Sequence, residues 1–174
     1  YQDLADGLEQ AANEALEIDD KSSLLLELGK VCESYLDDFD KASFFYQEIL
    51  SDSPQHQGAV TALETLYARL SQYQPLVDLY LRLADENEDD EQRIRRLFQA
   101  CEMMRHLDAH DQLIETYRTV LEIDEQNLVA YRELERLFQI TEEWGALASL
   151  LQERIEHYEV ADVDEAAVDQ SELN

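Results

Sequence analysis

Shifted by 71 residues, the chain lies on itself. Tyr46 to Tyr73 reads YQEILSDSPQHQGAVTALETLYARLSQY, and Tyr117 to Trp144 reads YRTVLEIDEQNLVAYRELERLFQITEEW. Tyr46/Tyr117, Leu50/Leu121, Gln55/Gln126, Ala59/Ala130, Leu63/Leu134, Glu64/Glu135 and Leu66/Leu137 are identical pairs. Tyr67/Phe138 and Tyr73/Trp144 stay aromatic. Earlier in the chain the offset is 72, so that Tyr1-Gln2-Asp3-Leu4 returns as Tyr73-Gln74-Pro75-Leu76. A fixed period without change of character marks a stacked-repeat architecture. Each unit of such a stack buries its apolar stripe only against its neighbours, and function tends to lie on an extended surface.

The spacing within each unit is helical. Leu25, Leu28, Val31, Cys32 and Tyr35 follow one face of a helix, as do Ile94, Leu97, Phe98, Cys101 and Met104. Four Gly and two Pro in 174 residues are too few for the frequent turns of a β-sandwich or barrel. Polar breaks predict helices near 2–17, 22–35, 40–51, 56–70, 74–85, 91–106, 110–122, 127–140 and 144–158. Asp40 and Asn127 are N-cap candidates, and Pro75 suits the start of a helix. The first helix lacks a partner of its own and leaves an apolar face at Leu4, Leu8 and Ala12. The other eight form antiparallel hairpins over about 22–51, 56–85, 91–122 and 127–158. The 71-residue shift therefore spans two unlike hairpins. Residues 159–174 are an acidic linker or the start of a further helix through Ala166-Ala167-Val168. With no initiator Met and an opening in mid-repeat, the chain reads as a piece of a longer protein.

The hairpins resemble the tetratricopeptide repeat (TPR). Leu28-Gly29 match the Leu-Gly pair of that family's helix A, with Cys32 where an aromatic is usual. Ala42, Tyr46, Ile49 and Pro54 follow at the family's spacing, after one inserted turn residue. The second hairpin carries Leu63, Tyr67, Tyr73, Leu76, Tyr80 and Leu83 in the corresponding places. The third carries Leu97, Ala100, Met104, Leu113, Tyr117 and Val120. The fourth carries Leu134, Phe138, Trp144, Leu147 and Leu151, with Arg154 where a small residue is usual. The resemblance covers residues 1 to about 158 and implies an all-α, right-handed α-solenoid of about nine helices. Paired acidic repeats of this kind resemble segments of large bacterial repeat proteins. The helically spaced aromatics are expected to be packing residues rather than a ligand box.

Charge narrows the partners. Against 41 Asp and Glu stand 13 Lys and Arg, a formal net charge of −28. Nucleic acid and anionic membrane are disfavoured, because phosphate binding needs cationic side chains. A basic partner on the outer face is compatible. No apolar run reaches the roughly 20 residues of a membrane span, and no signal peptide is visible. The cytoplasm is thus the default expectation. Cys32 and Cys101 lie on apolar stripes and read as buried free thiols.

No residue pattern points to catalysis or to a cofactor. Four scattered glycines make no phosphate loop. His106, Asp108, His110 and Asp111 have the nearest metal-like spacing, but they straddle a predicted turn and read as loop residues. One asymmetry remains. In the TPR family the concave groove is lined by fixed helix A positions. The resemblance places twenty residues of this chain there, six basic and two acidic, which reverses the sign of the surface. The basic ones are Lys30, Arg69, Arg95, Arg105, Arg132 and Arg136, with Phe98 among them. Arg suits bidentate capture of carboxylates, so an acidic peptide or protein segment is the expected groove partner. The competing reading pairs these Arg with Glu on the neighbouring helix. The expected function is a non-enzymatic interaction scaffold. The alternative is a structural spacer that associates end to end.

Overall fold

A computed structural model describes residues 1–155 apart from Leu16. The expected tail at 159–174 lies outside the described residues. Among the described residues the chain is all-α and built of helical hairpins, as the repeat predicted. The helices are α1 (Gln2–Glu14), α2 (Ile18–Tyr35), α3 (Phe39–Asp52), α4 (Gln57–Arg69), α5 (Tyr73–Asp85), α6 (Asp90–Arg105), α7 (His110–Ile123) and α8 (Leu128–Ile140). A ninth helix, α9, is described over 144–155.

Several boundaries depart from expectation for local reasons. The first helix stops at Glu14, not 17, and Ala15 is extended. α2 starts at Ile18 and takes Asp19 and Asp20 into its first turn. Acids are favoured there by the partial positive charge of a helix N-terminus. Asp38, not Asp40, caps α3 by accepting from the Lys41 N–H at 3.1 Å. Asn127 caps α8 as expected, accepting from the Ala130 N–H at 3.1 Å. Its repeat equivalent His56 does the same through Nδ1, accepting from the Ala59 N–H at 3.2 Å.

The repeat is written into the turns as well. Asp37, Ser71, Asp108 and Glu142 are left-handed, with φ of 51°, 54°, 51° and 60°. They fall at the four hairpin bends, and each pair two hairpins apart is 71 residues apart. After each, a backbone N–H closes on the preceding helix: Gln72 on Tyr67 O (2.9 Å), Ala109 on Met104 O (3.2 Å) and Glu143 on Phe138 O (2.9 Å). These are the long hydrogen bonds of a Schellman-type stop. In the first hairpin Asp38 reaches one residue further back, to Cys32 O at 3.0 Å. That extra residue is the turn insertion seen in the sequence.

Two compact units divide the chain, Tyr1–Glu88 and Asp89–Asn174. The division falls in the acidic break after α5. In the first unit α1 packs on α2, and α2 to α5 pack successively, with α2 and α3 the most extensive pair. Its core holds Leu25, Leu28, Cys32, Tyr46, Ile49, Leu63, Leu66 and Val77. Ala12 belongs to this core, at 2% exposure, and not to an open face; Leu4 alone of the expected three is largely exposed, at 50%. Ala5 and Ala12, seven residues apart on one line of α1, are its buried residues, and α1 packs on α2; Leu4 falls at the edge of that line. In the second unit α6, α7 and α8 pack successively, around Leu97, Cys101, Met104, Tyr117, Leu134 and Phe138. Tyr46, Tyr67, Tyr80, Tyr117 and Phe138 are all buried, consistent with packing.

Gly29 is the glycine that the packing requires. A Cβ built on it would strike Tyr46 Cε1 and lie 2.7 Å from Cζ and 2.9 Å from Cδ1. Real Cβ atoms do not approach a neighbour so closely. α2 and α3 are therefore as close as they are because Gly29 has no side chain.

Candidate binding site

Each unit holds a triad of Tyr, Arg and Glu joining its successive helices. In the first unit the Tyr46 hydroxyl donates to Glu33 Oε2 at 3.3 Å. Glu33 Oε1 pairs with Arg69 Nη1 at 3.0 Å, and the Arg69 guanidinium lies 5.0 Å from the Phe39 ring centre. The triad thus ties α2, α3 and α4. In the second unit Arg105 stands 72 residues after Glu33, with opposite charge. Arg105 Nη2 donates to the Tyr117 hydroxyl at 2.9 Å and pairs with Glu133 Oε2 at 3.0 Å. The same joint is made with its polarity reversed. Burial raises the Tyr46 and Tyr117 hydroxyls well above the ordinary tyrosine value, so both stay protonated.

The second-unit triad borders a cleft of about 270 Å³, lined by Arg105, Asp108, His110, Leu113, Tyr117, Glu133, Arg136, Leu137 and Ile140. Glu133 Oε2 is shared: Arg105 reaches it at 3.0 Å and Arg136 Nη1 at 3.8 Å. Arg105 also lies 3.6 Å from Glu102. Burial disfavours the Arg105 charge, but the Tyr117 hydrogen bond and the Glu133 and Glu102 carboxylates outweigh it and hold its pKa above the ordinary value. Arg136 is more open, its side chain 66% exposed. A guanidinium carries five N–H donors, so Arg136 retains capacity for a further carboxylate.

The structure brings some of the expected groove residues together and separates others. Arg105 and Arg136 meet at Glu133. Phe98 packs against Tyr117, ring centres 6.1 Å apart. Arg95 turns instead to Glu91 on its own helix at 3.3 Å, and Arg132 is exposed on α8. In the first unit Arg69 is engaged with Glu33, and Lys30 is exposed on α2. Four of these arginines, Arg69, Arg95, Arg105 and Arg136, thus find Glu on a neighbouring or the same helix. The carboxylates that receive them, Glu33 and Glu133, were not legible as partners without the packing, although the 72-residue offset between Glu33 and Arg105 is visible in the sequence.

Elsewhere, His106 ends α6, Asp108 occupies the bend, and His110 and Asp111 open α7. Among the described residues, no group of three or more His, Cys, Asp or Glu is placed to hold a metal ion. Arg154, the departure from the repeat pattern, has its own reason. It donates to Glu135 Oε1 at 2.6 Å and lies 5.7 Å from the Tyr131 ring centre. Cys32 and Cys101 are both buried and free. No described helix is long and apolar enough to cross a membrane.

No family model matches the chain, and no curated protein does. Solved structures similar to it include two of the protein MamA. One, from AMB-1, is 19% identical with a TM-score of 0.49 and covers 92% of this chain and 84% of its own. The other is 16% identical with a TM-score of 0.32 and covers 79% and 92%.

Proposed function

We propose that this chain is a non-enzymatic, protein-binding repeat module, a scaffold segment that takes an acidic peptide or protein segment against the arginines of its helix A face. The observation that carries this is the sharing of one Glu133 oxygen by Arg105 and Arg136 at the edge of an open cleft. Arg105 is committed to Tyr117 and Glu133 and acts as the fixed part of the site. Arg136, exposed and weakly paired, is the capture residue, with Arg132 one turn earlier and Ile140 supplying an exposed apolar contact. The −28 net charge opposes an acidic partner at long range, but physiological salt screens exposed charges beyond about 8 Å. The same acidic exterior would suit a basic partner on the outer face.

The test is a fluorescence anisotropy titration with labelled, end-capped Glu-rich peptides against the wild type and an Arg132→Glu/Arg136→Glu variant. Binding of the wild type, lost in the variant at an unchanged melting temperature, supports the reading. Equal binding by the two, or none by the wild type, refutes it. A second reading, a spacer that associates with further copies, is favoured by exposed apolar side chains: Tyr1 at 69%, Leu4 at 50%, Trp144 at 62% and Ile155 at 57%. It predicts a light-scattering mass that rises with concentration and no peptide capture.

A further inference from the structure

The first unit contains a cleft of its own, lined by none of the residues expected in the groove. It measures about 320 Å³ and is lined by Gln47 of α3, Leu63 and Tyr67 of α4, and Pro75, Asp78, Leu79 and Arg82 of α5. Its chemistry is unusual for this chain. Acids outnumber bases threefold, yet the Nε–H of Arg82 is buried without an acceptor among the described residues. A buried donor costs stability until it finds a partner.

The nearest internal candidate is turned aside. Asp78 stands one helical turn before Arg82, an arrangement that normally favours an ion pair. Its Oδ1 instead accepts from Gln74 Nε2 at 2.9 Å. On the opposite wall Gln47 Nε2 donates to the Tyr67 hydroxyl oxygen at 2.6 Å. That oxygen serves as acceptor, which leaves the hydroxyl proton available to donate.

We propose that this cleft binds a carboxylate on a short aliphatic stem, with Arg82 and Tyr67 as donors and Leu63, Pro75 and Leu79 as the apolar walls. Arg82 offers its Nε–H and an Nη–H side by side, the fork that matches two carboxylate oxygens. Asp78 in the same wall penalises a dianion more than a monoanion, which selects carboxylate over phosphate. The volume, at the low end for small-molecule sites, fits a glutamate-like side chain or a small free acid.

The repeat provides an internal control. Residues 71 further on, Arg118 stands for Gln47, Leu150 for Leu79 and Glu153 for Arg82. The second-unit cleft they line, with Glu122 and Glu125, measures about 280 Å³. Glu153 there replaces the Arg82 donor with an acceptor, and the one cation of that lining, Arg118, comes from the Gln47 position and lies 5.7 Å from the Phe138 ring centre. The proposal does not depend on the Arg136 site, which lies in the other unit.

The experiment follows the Arg82 Nε–H resonance, assigned by its absence from an Arg82→Lys variant, during titration of the whole chain. Three probes are used: butyrate, the capped tripeptide acetyl-Ala-Glu-Ala-amide, and inorganic phosphate. A saturable shift with butyrate or with the tripeptide is expected. A stronger response to the tripeptide identifies a partner's acidic side chain as the source, and a response to butyrate of at least equal strength identifies a small acid. Tyr67→Phe should weaken binding several-fold, and Asp78→Asn, which removes the competing carboxylate, should tighten it by up to about tenfold. If the resonance stays put with every probe in both the wild type and Asp78→Asn, Arg82 is satisfied internally or by water, and the proposal fails. Equal or stronger binding of phosphate overturns the assignment to carboxylate.

Discussion

Replacing Gly29 by Ala pits helix propensity against packing. Propensity alone favours the change, since Ala exceeds Gly by about 1 kcal/mol in a helix interior. Packing opposes it, because the new Cβ would overlap the Tyr46 ring, which is 0% exposed and hydrogen-bonded to Glu33. Overpacking a close-packed core costs about 1–3 kcal/mol, and a contact this short belongs at the upper end. The net expectation is a loss of about 2 kcal/mol. At about 2–4 °C per kcal/mol for chains of this size, the melting temperature should fall by about 4–8 °C. The second unit shows how the reasoning could fail. Cys101 stands 72 residues after Gly29, is 1% exposed and coexists with Tyr117. If α2 and α3 could open to accept a side chain as α6 and α7 do, the cost would drop below the propensity gain. Melting by far-UV circular dichroism decides, with Gly145→Ala as control. A Cβ on Gly145 meets nothing within 4 Å, so that variant should gain up to about 1 kcal/mol. A Gly29→Ala protein as stable as the wild type, beside a stabilised Gly145→Ala, would refute the argument. Partial rescue of Gly29→Ala by Tyr46→Leu would place the clash where the structure has it.

Two further outcomes are expected. Burial pushes the Cys101 thiol up from 9.0 to about 12 and raises Cys32, Tyr46 and Tyr117 as well; the native state therefore holds protons that the unfolded chain has lost. This stability is complete below about pH 9 and is lost as pH rises towards the native values, so the urea midpoint should fall above about pH 9, and a flat profile to about pH 11 would contradict the burial argument. Reversing one member of the first-unit pair, by Glu33→Arg or Arg69→Glu, should cost about 1 kcal/mol, and the double reversal should recover most of it, since the second unit makes the same joint with opposite polarity; failure of the double variant to recover would show that Tyr46 needs a carboxylate at position 33.

The helices, their pairing into hairpins and the two-hairpin period were all legible in the amino-acid sequence, because each rests on short-range rules. Apolar spacing sets a helical face, and Asp, Asn and left-handed bends set where it stops. Even the inserted turn residue reappeared, as the longer Asp38-to-Cys32 hydrogen bond. Where the reading slipped, at Asp40 for Asp38, two acidic residues two positions apart competed for one cap. Ala12 was misplaced because periodicity marks a stripe without saying what covers it.

The basic positions were also legible, but not their state. The resemblance to the tetratricopeptide repeat puts six cations along one expected face. Only tertiary packing decides that Arg69 and Arg105 are spent on Glu33 and Glu133, that Arg136 keeps donor capacity, and that the Nε–H of Arg82, on no predicted site, is buried without an acceptor among the described residues. An ion pair across helices depends on side-chain reach and on the spacing of the helices. In the first unit that spacing follows from the absence of a side chain at Gly29. The 71-residue echo therefore determines the architecture from local sequence, while the polarity of each joint and the open donors belong to the packing between helices.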